Sequence, residues 1–162
     1  MSDLTNNINP LQPSGFKITI DSDEYPNLEF FAQSIQHPSV NGEGQEFNFR
    51  GGPVKTLPDK LSFSDLSVTI LIDEDLNSYT EVLNWMLRNV DSNEVNATDT
   101  GINSRCDITV SILTSHNNVN KQIKYVDAFP SSLSDLTFEP TSGDQTYITC
   151  SATFKYSYFE IL

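Results

Sequence analysis

The stretch from Leu61 to Asn89, LSFSDLSVTILIDEDLNSYTEVLNWMLRN, changes its hydrophobic period in the middle, and that change constrains the fold more than any other feature. Leu66, Val68, Ile70 and Ile72 alternate with Ser67, Thr69 and Leu71. A period of two places the first set on one face of a strand. After Ile72 the apolar residues Leu76, Tyr79, Val82, Leu83 and Met86 fall three or four apart. This spacing predicts an amphipathic helix over residues 75–88, with Leu76, Tyr79, Val82, Leu83, Trp85 and Met86 packing it onto a sheet. Asp73 or Asp75 can accept hydrogen bonds from the first-turn amides, so Asp-Glu-Asp is explained by capping before any metal is invoked. Phe63 and Leu66 are out of step by one residue, which predicts a β-bulge between them.

The remaining chain reads as strands and turns. Residues 1–15 are polar, with Pro10, Pro13 and Gly15, and predict a loose arm ahead of one domain at 16–162. FKITI (16–20) alternates as a half-buried strand should, DSDEYPN turns the chain, and LEFFAQSI reads as a second strand. Residues 36–60 hold three prolines and four glycines, a density that prevents a regular helix and predicts a long hairpin or extended loop. A segment of that length is unusual inside a compact monomer, which suggests ordering against a neighbour. Phe47, Phe49, Arg50 and Val54 are its candidate inter-subunit contacts. Residues 89–104 read as an exposed loop. CDITVSILT, KQIKYVDA and TYITCSATFKYSYFEIL supply further strands, HNNVN a turn between the first two. The fold class expected is mainly β, an antiparallel sandwich or barrel with one flanking helix and a long loop.

Composition excludes more than it assigns. Nine basic against 22 acidic side chains give a formal charge of −13, which disfavours an outer surface built to bind nucleic acid. Cys106 and Cys150 have no metal-motif spacing and read as reduced structural cysteines, and no segment is apolar enough to span a membrane or serve as a secretion signal. His37 and His116 sit in turn-rich stretches outside any ligand pattern. No nucleophile elbow surrounds Ser34, Ser62 or Ser151, Gly51-Gly52 lacks the basic residue of a phosphate loop, and Asn96-Ala97-Thr98 is a glycosylation match in form only. Catalytic, cofactor and metal residues are therefore expected to be none, and the protein is not expected to be an enzyme. Trp85 reads as the helix anchor; Phe154, Tyr156, Tyr158 and Phe159 divide between core and interface.

The order of these segments resembles the tail tube proteins of contractile-tailed bacteriophages, particularly the T4-like group. The resemblance is carried by a strand at Val68–Ile72, the acidic helix start at Asp73–Asp75, Trp85, DITVSILT, then KQIKYVDAFPSSLSDLTFE, and the aromatic terminal strand at Phe154–Phe159. It covers residues 60–162 well and the first strands loosely. It implies a barrel-like subunit joining a six-membered ring, with rings stacked into a conduit and paired sheets lining its lumen. Pro130 would fix a turn between two barrel strands, with Leu133 and Leu136 re-entering the packed layer.

The implied role is the inner tail tube of a virion, a homo-oligomer assembled in the host bacterial cytoplasm. Its implied partners are the surrounding sheath and the baseplate or hub; DNA would pass through the lumen without specific binding and no membrane anchor is needed. Asp65 and Asp107 are candidate lumen acids, since a basic wall would retain phosphates. The alternative within the resemblance is a baseplate or hub adapter of the same fold that starts or ends the tube; a type VI secretion tube shares the same physical account. From other classes, a β-barrel enzyme and a generic binding module stand further off.

Overall fold

The computed structural model describes residues 11, 15–20, 25–91, 105–138 and 147–162, so the predicted N-terminal arm and most of the predicted 89–104 loop lie outside it. Its elements are β1 (Phe16–Ile20), α1 (Pro26–Phe31), β2 (Ala32–Gln36), β3 (Val40–Glu43), β4 (Glu46–Phe49), β5 (Gly52–Lys55), β6 (Lys60–Phe63), β7 (Leu66–Leu71), α2 (Asn77–Asp91), β8 (Cys106–Leu113), β9 (Val119–Leu133), β10 (Thr149–Lys155) and β11 (Tyr158–Ile161).

Seven strands form one antiparallel sheet in the order β1-β8-β9-β10-β7-β2, with β11 paired to β9 beside β10. The 15-residue β9 belongs to two halves of that sheet. Its first part pairs with β8 and β11, its last part with β10. The changeover is made by two irregularities. At Asp127 the backbone takes φ 55°, and two residues of β9 oppose one of β8 between the pairs Ile108↔Tyr125 and Cys106↔Ala128. This is a bulge, and a bulge bends its strand. Across from it, β10 and β11 break at Tyr156-Ser157. Both members of the pair turn at the same level, and the sheet folds over itself without closing into a barrel.

The inner faces meet in one core. One half contributes Ile18, Ile20, Ile108, Val110, Ile123 and Tyr125; the other contributes Leu66, Val68, Ile70, Ala152 and Phe154. The alternation in 66–71 is seen directly, with Leu66, Val68 and Ile70 buried and Ser67, Thr69 and Leu71 half-covered. The helix anchors this layer through Trp85, which stacks on Tyr25 at 4.4 Å and lies 5.8 Å from Phe154.

Four local expectations change. The helix runs from Asn77 to Asp91 rather than over 75–88, because Leu76 sits before it with φ 57°. Asp73 supplies the cap: its carboxylate accepts from the Asn77 and Ser78 amides at 3.1 Å each and from Ser78 Oγ at 3.0 Å. The desolvation that would raise the Asp73 pKa is outweighed by these bonds, which hold it below the usual value. Second, LEFFAQSI is not a single strand. Pro26 opens α1 at a position where its missing N–H costs nothing, and the chain becomes extended only at Ala32. Glu81 of α2 accepts from the α1 amide of Leu28 at 2.9 Å and from Asn27 Nδ2 at 2.6 Å, and Glu29 accepts from the Ile20 amide. Third, the mismatch between Phe63 and Leu66 is a strand break at Ser64-Asp65, where the chain passes from β6 to the main sheet. Fourth, Pro130 fixes no turn. It lies buried within β9 opposite Phe154, and the extra residue Ser131 sits between it and the Ser132↔Thr153 pair. A bulge is where a strand tolerates a residue that cannot donate to the ladder.

Candidate assembly surfaces

Residues 40–63 form a hairpin arm of two ribbons in series, β3 with β6 at its base and β4 with β5 at its tip. The joint is held by Thr56, whose Oγ1 donates to the Gln45 carbonyl at 2.8 Å while its amide donates to the same oxygen at 3.0 Å. A Cβ on Gly44 would come within 2.6 Å of the Thr56 carbonyl, so the joint requires glycine there. At the tip, Arg50 and Gly51 form a two-residue turn closed by Gly52, whose φ of 131° only glycine adopts readily.

Each ribbon has two unlike faces. In the base ribbon Val40 opposes Phe63 and Gly42 opposes Leu61; in the tip ribbon Phe47 opposes Val54 and Phe49 opposes Gly52. The opposite faces carry Glu43↔Lys60 and Glu46↔Lys55. Cross-strand charge pairs suit a solvated face. The apolar faces are exposed, with Phe49 at 68% and Leu57, between the ribbons, at 86%. A two-stranded ribbon has no layer behind it, so these side chains stay open apart from Phe63 at the foot, which meets the body. Of the sequence candidates, Phe47, Phe49 and Val54 thus share one face of the tip, and Arg50 stands exposed at its turn.

The arm is joined to the body by a polar clasp and an aromatic cluster. The Ser39 amide donates to Ser64 Oγ at 2.8 Å, the Ser64 amide donates back to the Ser39 carbonyl at 3.1 Å, and Tyr156 Oη donates to the Ser64 carbonyl at 2.9 Å. Phe63 lies edge-on to Phe159 at 5.5 Å, and His37 lies edge-on to the same ring at 5.1 Å. His37 Nδ1 is 2.7 Å from Tyr125 Oη. Burial lowers the His37 pKa and raises that of Tyr125, so both groups favour their neutral forms in this contact. His37 is exposed, as a loop histidine should be, yet one of its nitrogens is committed to the core. Nothing in the sequence signals that contact, which joins residues 88 apart.

Along α2, Val82 and Trp85 are buried and Tyr79 and Met86 half-buried. Leu83 is exposed in the single chain, as is Leu76, which the left-handed backbone places outside the helix. Leu87 and Val90 continue the Leu83 stripe, so the helix has an apolar margin beyond the face its own core uses.

The two candidate lumen acids are not brought together. Asp107 is ion-paired to Lys124 at 2.7 Å and accepts from the Asp127 amide at 3.1 Å, so it braces the β9 bulge. The Lys124 hydrogen bond, chiefly, holds its pKa below the usual carboxylate value. Asp65 is exposed at the foot of the arm, one residue before β7. Among the described residues no group of three or more His, Cys, Asp or Glu side chains could hold a metal ion, and no helix is long and apolar enough to cross a membrane.

A strongly acidic β domain with outer strands open to pairing and an apolar arm projecting from its body is a subunit made to be joined to others. Comparison with known proteins gives that class its family. The chain belongs to the phage tail tube protein family, whose model matches residues 5–162. The tail tube terminator protein of Enterobacteria phage T4 is 30% identical to it over 102 residues, 61% of this chain; the match spans 56% of that protein's length. In fold it is similar to a chain in the cryo-EM structure of the anti-feeding prophage cap, the tube-terminating cap, with a TM-score of 0.69 and 17% identity over 99% of this chain and 95% of the other. A chain of the extracellular contractile injection system PVC sheath/tube terminator in its extended state gives a TM-score of 0.67 and 16% identity over 95% and 97%. The Hcp protein gives 0.55 and 11% over 91% and 98%. The expected mainly antiparallel β fold of the tail-tube type is thereby met.

Proposed function

We propose that this chain is the terminating adapter of a contractile tail, a non-enzymatic ring that caps the last layer of the tube and joins it to the neighbouring component of the particle. The observation that carries this is the 30% identity over 102 residues to a tail tube terminator, which favours an end-of-tube role over the repeating subunit that the sequence alone put first. The geometry is consistent with it. The arm offers an apolar face to a neighbouring ring, and its removal from water is the main favourable term available to such a contact. The subunits form a closed ring of six, which covers the outer strands of each sheet. The ring is built in the bacterial cytoplasm, meets the tube and the end of the sheath, and leaves a passage for DNA.

Counting copies per virion tests this directly. A terminator is present as one ring or a few, and phage lacking it make tubes of unregulated length. Copies sufficient for a stack along the whole tail would instead establish the repeating tube subunit, the reading favoured by likeness to the PVC sheath-tube complex at a TM-score of 0.66.

A further inference from the structure

The half of the sheet formed by β1, β8, the start of β9 and β11 ends in two strand edges, and the last bonds of each show which backbone groups point outward. Leu162 and Gln122 exchange two backbone bonds, at 2.8 and 3.2 Å. Exchanging pairs alternate along an antiparallel ladder, so Glu160 exchanges with Lys124, and the N–H and C=O groups of Phe159 and Ile161 point away from β9. At the other edge the Leu113 amide donates to the Gly15 carbonyl at 2.8 Å, so Lys17 and Thr19 bond to β8 while Phe16, Ile18 and Ile20 point outward. The Ile20 amide is already answered, since Glu29 of α1 accepts from it. Each edge therefore offers two residues to a further strand, Phe159 with Ile161 and Phe16 with Ile18. Neither edge carries the usual guards against pairing: both registers are continuous, neither strand contains proline, and the core-side residues are apolar. Ile161 lies on the core side, opposite buried Ile123, yet is 65% exposed, so the core at this edge lacks its last strand.

We propose that β11 of one subunit pairs with β1 of a second copy, antiparallel, with Phe159 opposite Ile18, Glu160 opposite Lys17 and Ile161 opposite Phe16; the inference deepens the ring proposed above and rests on it. The direction follows from the sheet. β1 and β11 are three antiparallel steps apart and so run opposite ways, and a rotation that carries one subunit onto the next keeps them so. The register follows from the free groups. Phe159 with Ile18 and Ile161 with Phe16 become the exchanging pairs, whereas a slip of two residues one way calls on Ile20, whose amide is taken, and the other way sets Glu160 against Gly15. Charge agrees: Glu160 and Lys17 are both exposed on the solvent face, and the Lys124 that Glu160 meets within its own chain is already ion-paired to Asp107. Two-fold pairing fails on the same ground. Joining β11 to β11 through Phe159 and Ile161 sets Glu160 opposite Glu160, and joining β1 to β1 through Phe16 and Ile18 sets Lys17 opposite Lys17. Like charges directly opposite are destabilising, and opposite charges stabilise. A head-to-tail contact between unlike edges is also the kind that closes into a ring.

The test oxidises tails assembled from the full chain carrying Lys17→Cys together with Glu160→Cys. Within one chain these positions are three strands apart, at least about 14 Å, too far for a disulfide, whereas the proposed pairing puts them directly opposite across two chains. The expected result is a ladder of covalently linked subunits on a non-reducing gel, formed about tenfold or more faster than with Thr19→Cys and Glu160→Cys, and absent with either single substitution. Faster linking through Thr19→Cys, or linking by neither pair, overturns the proposal. Should the cysteine variants fail to assemble, charge reversal decides. Glu160→Lys and Lys17→Glu should each weaken joining of subunits by about tenfold or more, and the two together should restore it. A combined variant that joins no better than the worse single one overturns the pairing. The tube-end role is read separately, from copy number and tube length.

Discussion

Leu76 shows how a residue can satisfy a pattern and still stand outside the element the pattern describes. Its spacing to Tyr79 and Val82 fits the helical period, but its φ of 57° puts it in a region that costs a leucine about 1 kcal/mol or more. Replacing Leu76 with Gly should therefore stabilise the isolated domain by up to about 1 kcal/mol, measured by chemical denaturation. A loss of about 2 kcal/mol or more would mean that Leu76 packs in the core after all. Trp85 is the opposite case, fully buried between Tyr25 and Phe154, and Trp85→Ala should cost about 3–5 kcal/mol. Asp73, Asp107 and His37 all have lowered pKa values and act on the acid limb of stability. Asp107 has a lowered pKa, so its contribution is complete above its ordinary value of 3.8 and is lost as the pH falls through its folded value. His37 is also lowered, and folding favours its neutral form. Its contribution is complete above 6.5 and declines as the pH falls toward the folded value. In His37→Gln the fall in stability below about pH 6.5 should flatten, while Asp107→Asn should affect only more acid pH. Equal acid limbs for His37→Gln and the parent in a pH series of melts would show that burial does not favour the neutral imidazole.

At the scale of elements, what the sequence revealed depended on whether the governing partner was near. The strand at 66–71 and the helix after it were legible because both are written in periodicity, and the cap lies within five residues of the amides it serves. The arm was legible as a hairpin from its glycines and prolines, and its apolar tip from Phe47, Phe49 and Val54. The bend was not, because it is set by the coincidence of a bulge at Asp127 with a break at Tyr156-Ser157, about thirty residues apart in the chain and matched only by strand pairing. Pro130 misled because a proline signals a turn unless strand pairing places a bulge beside it, here at Ser131. The arm yields a prediction of its own. Exchanging residues 41–62 for a short Gly-Ser turn should leave the melting temperature nearly unchanged, since the Ser39–Ser64 clasp closes the base and Phe63 keeps its contact with Phe159, and should abolish joining to the tube. A melting temperature lowered by ten degrees or so would show that the arm is part of the folded core.

For the whole molecule, charge and apolar surface act in opposite directions on assembly. Copies that each carry −13 repel, while the arm, with Arg50, Lys55 and Lys60 against Glu43, Glu46 and Asp59, is locally neutral. Association should therefore strengthen as ionic strength rises from about 0.01 to 0.15 M, where the screening length falls from about 30 to 8 Å. Sedimentation over that range would show it, and weakening instead would indicate that contacts between opposite charges dominate the joint. The clasp at the foot of the arm has one more consequence. The chain leaves the body at Ser39 and returns at Ser64 beside its point of departure, so apart from Phe63, which packs on Phe159, the body is indifferent to the length and content of the segment between them. An arm of different reach or chemistry could be transplanted onto the same domain by exchanging one uninterrupted segment, and a tail could thereby acquire a new fitting while the domain that bears it is inherited unchanged.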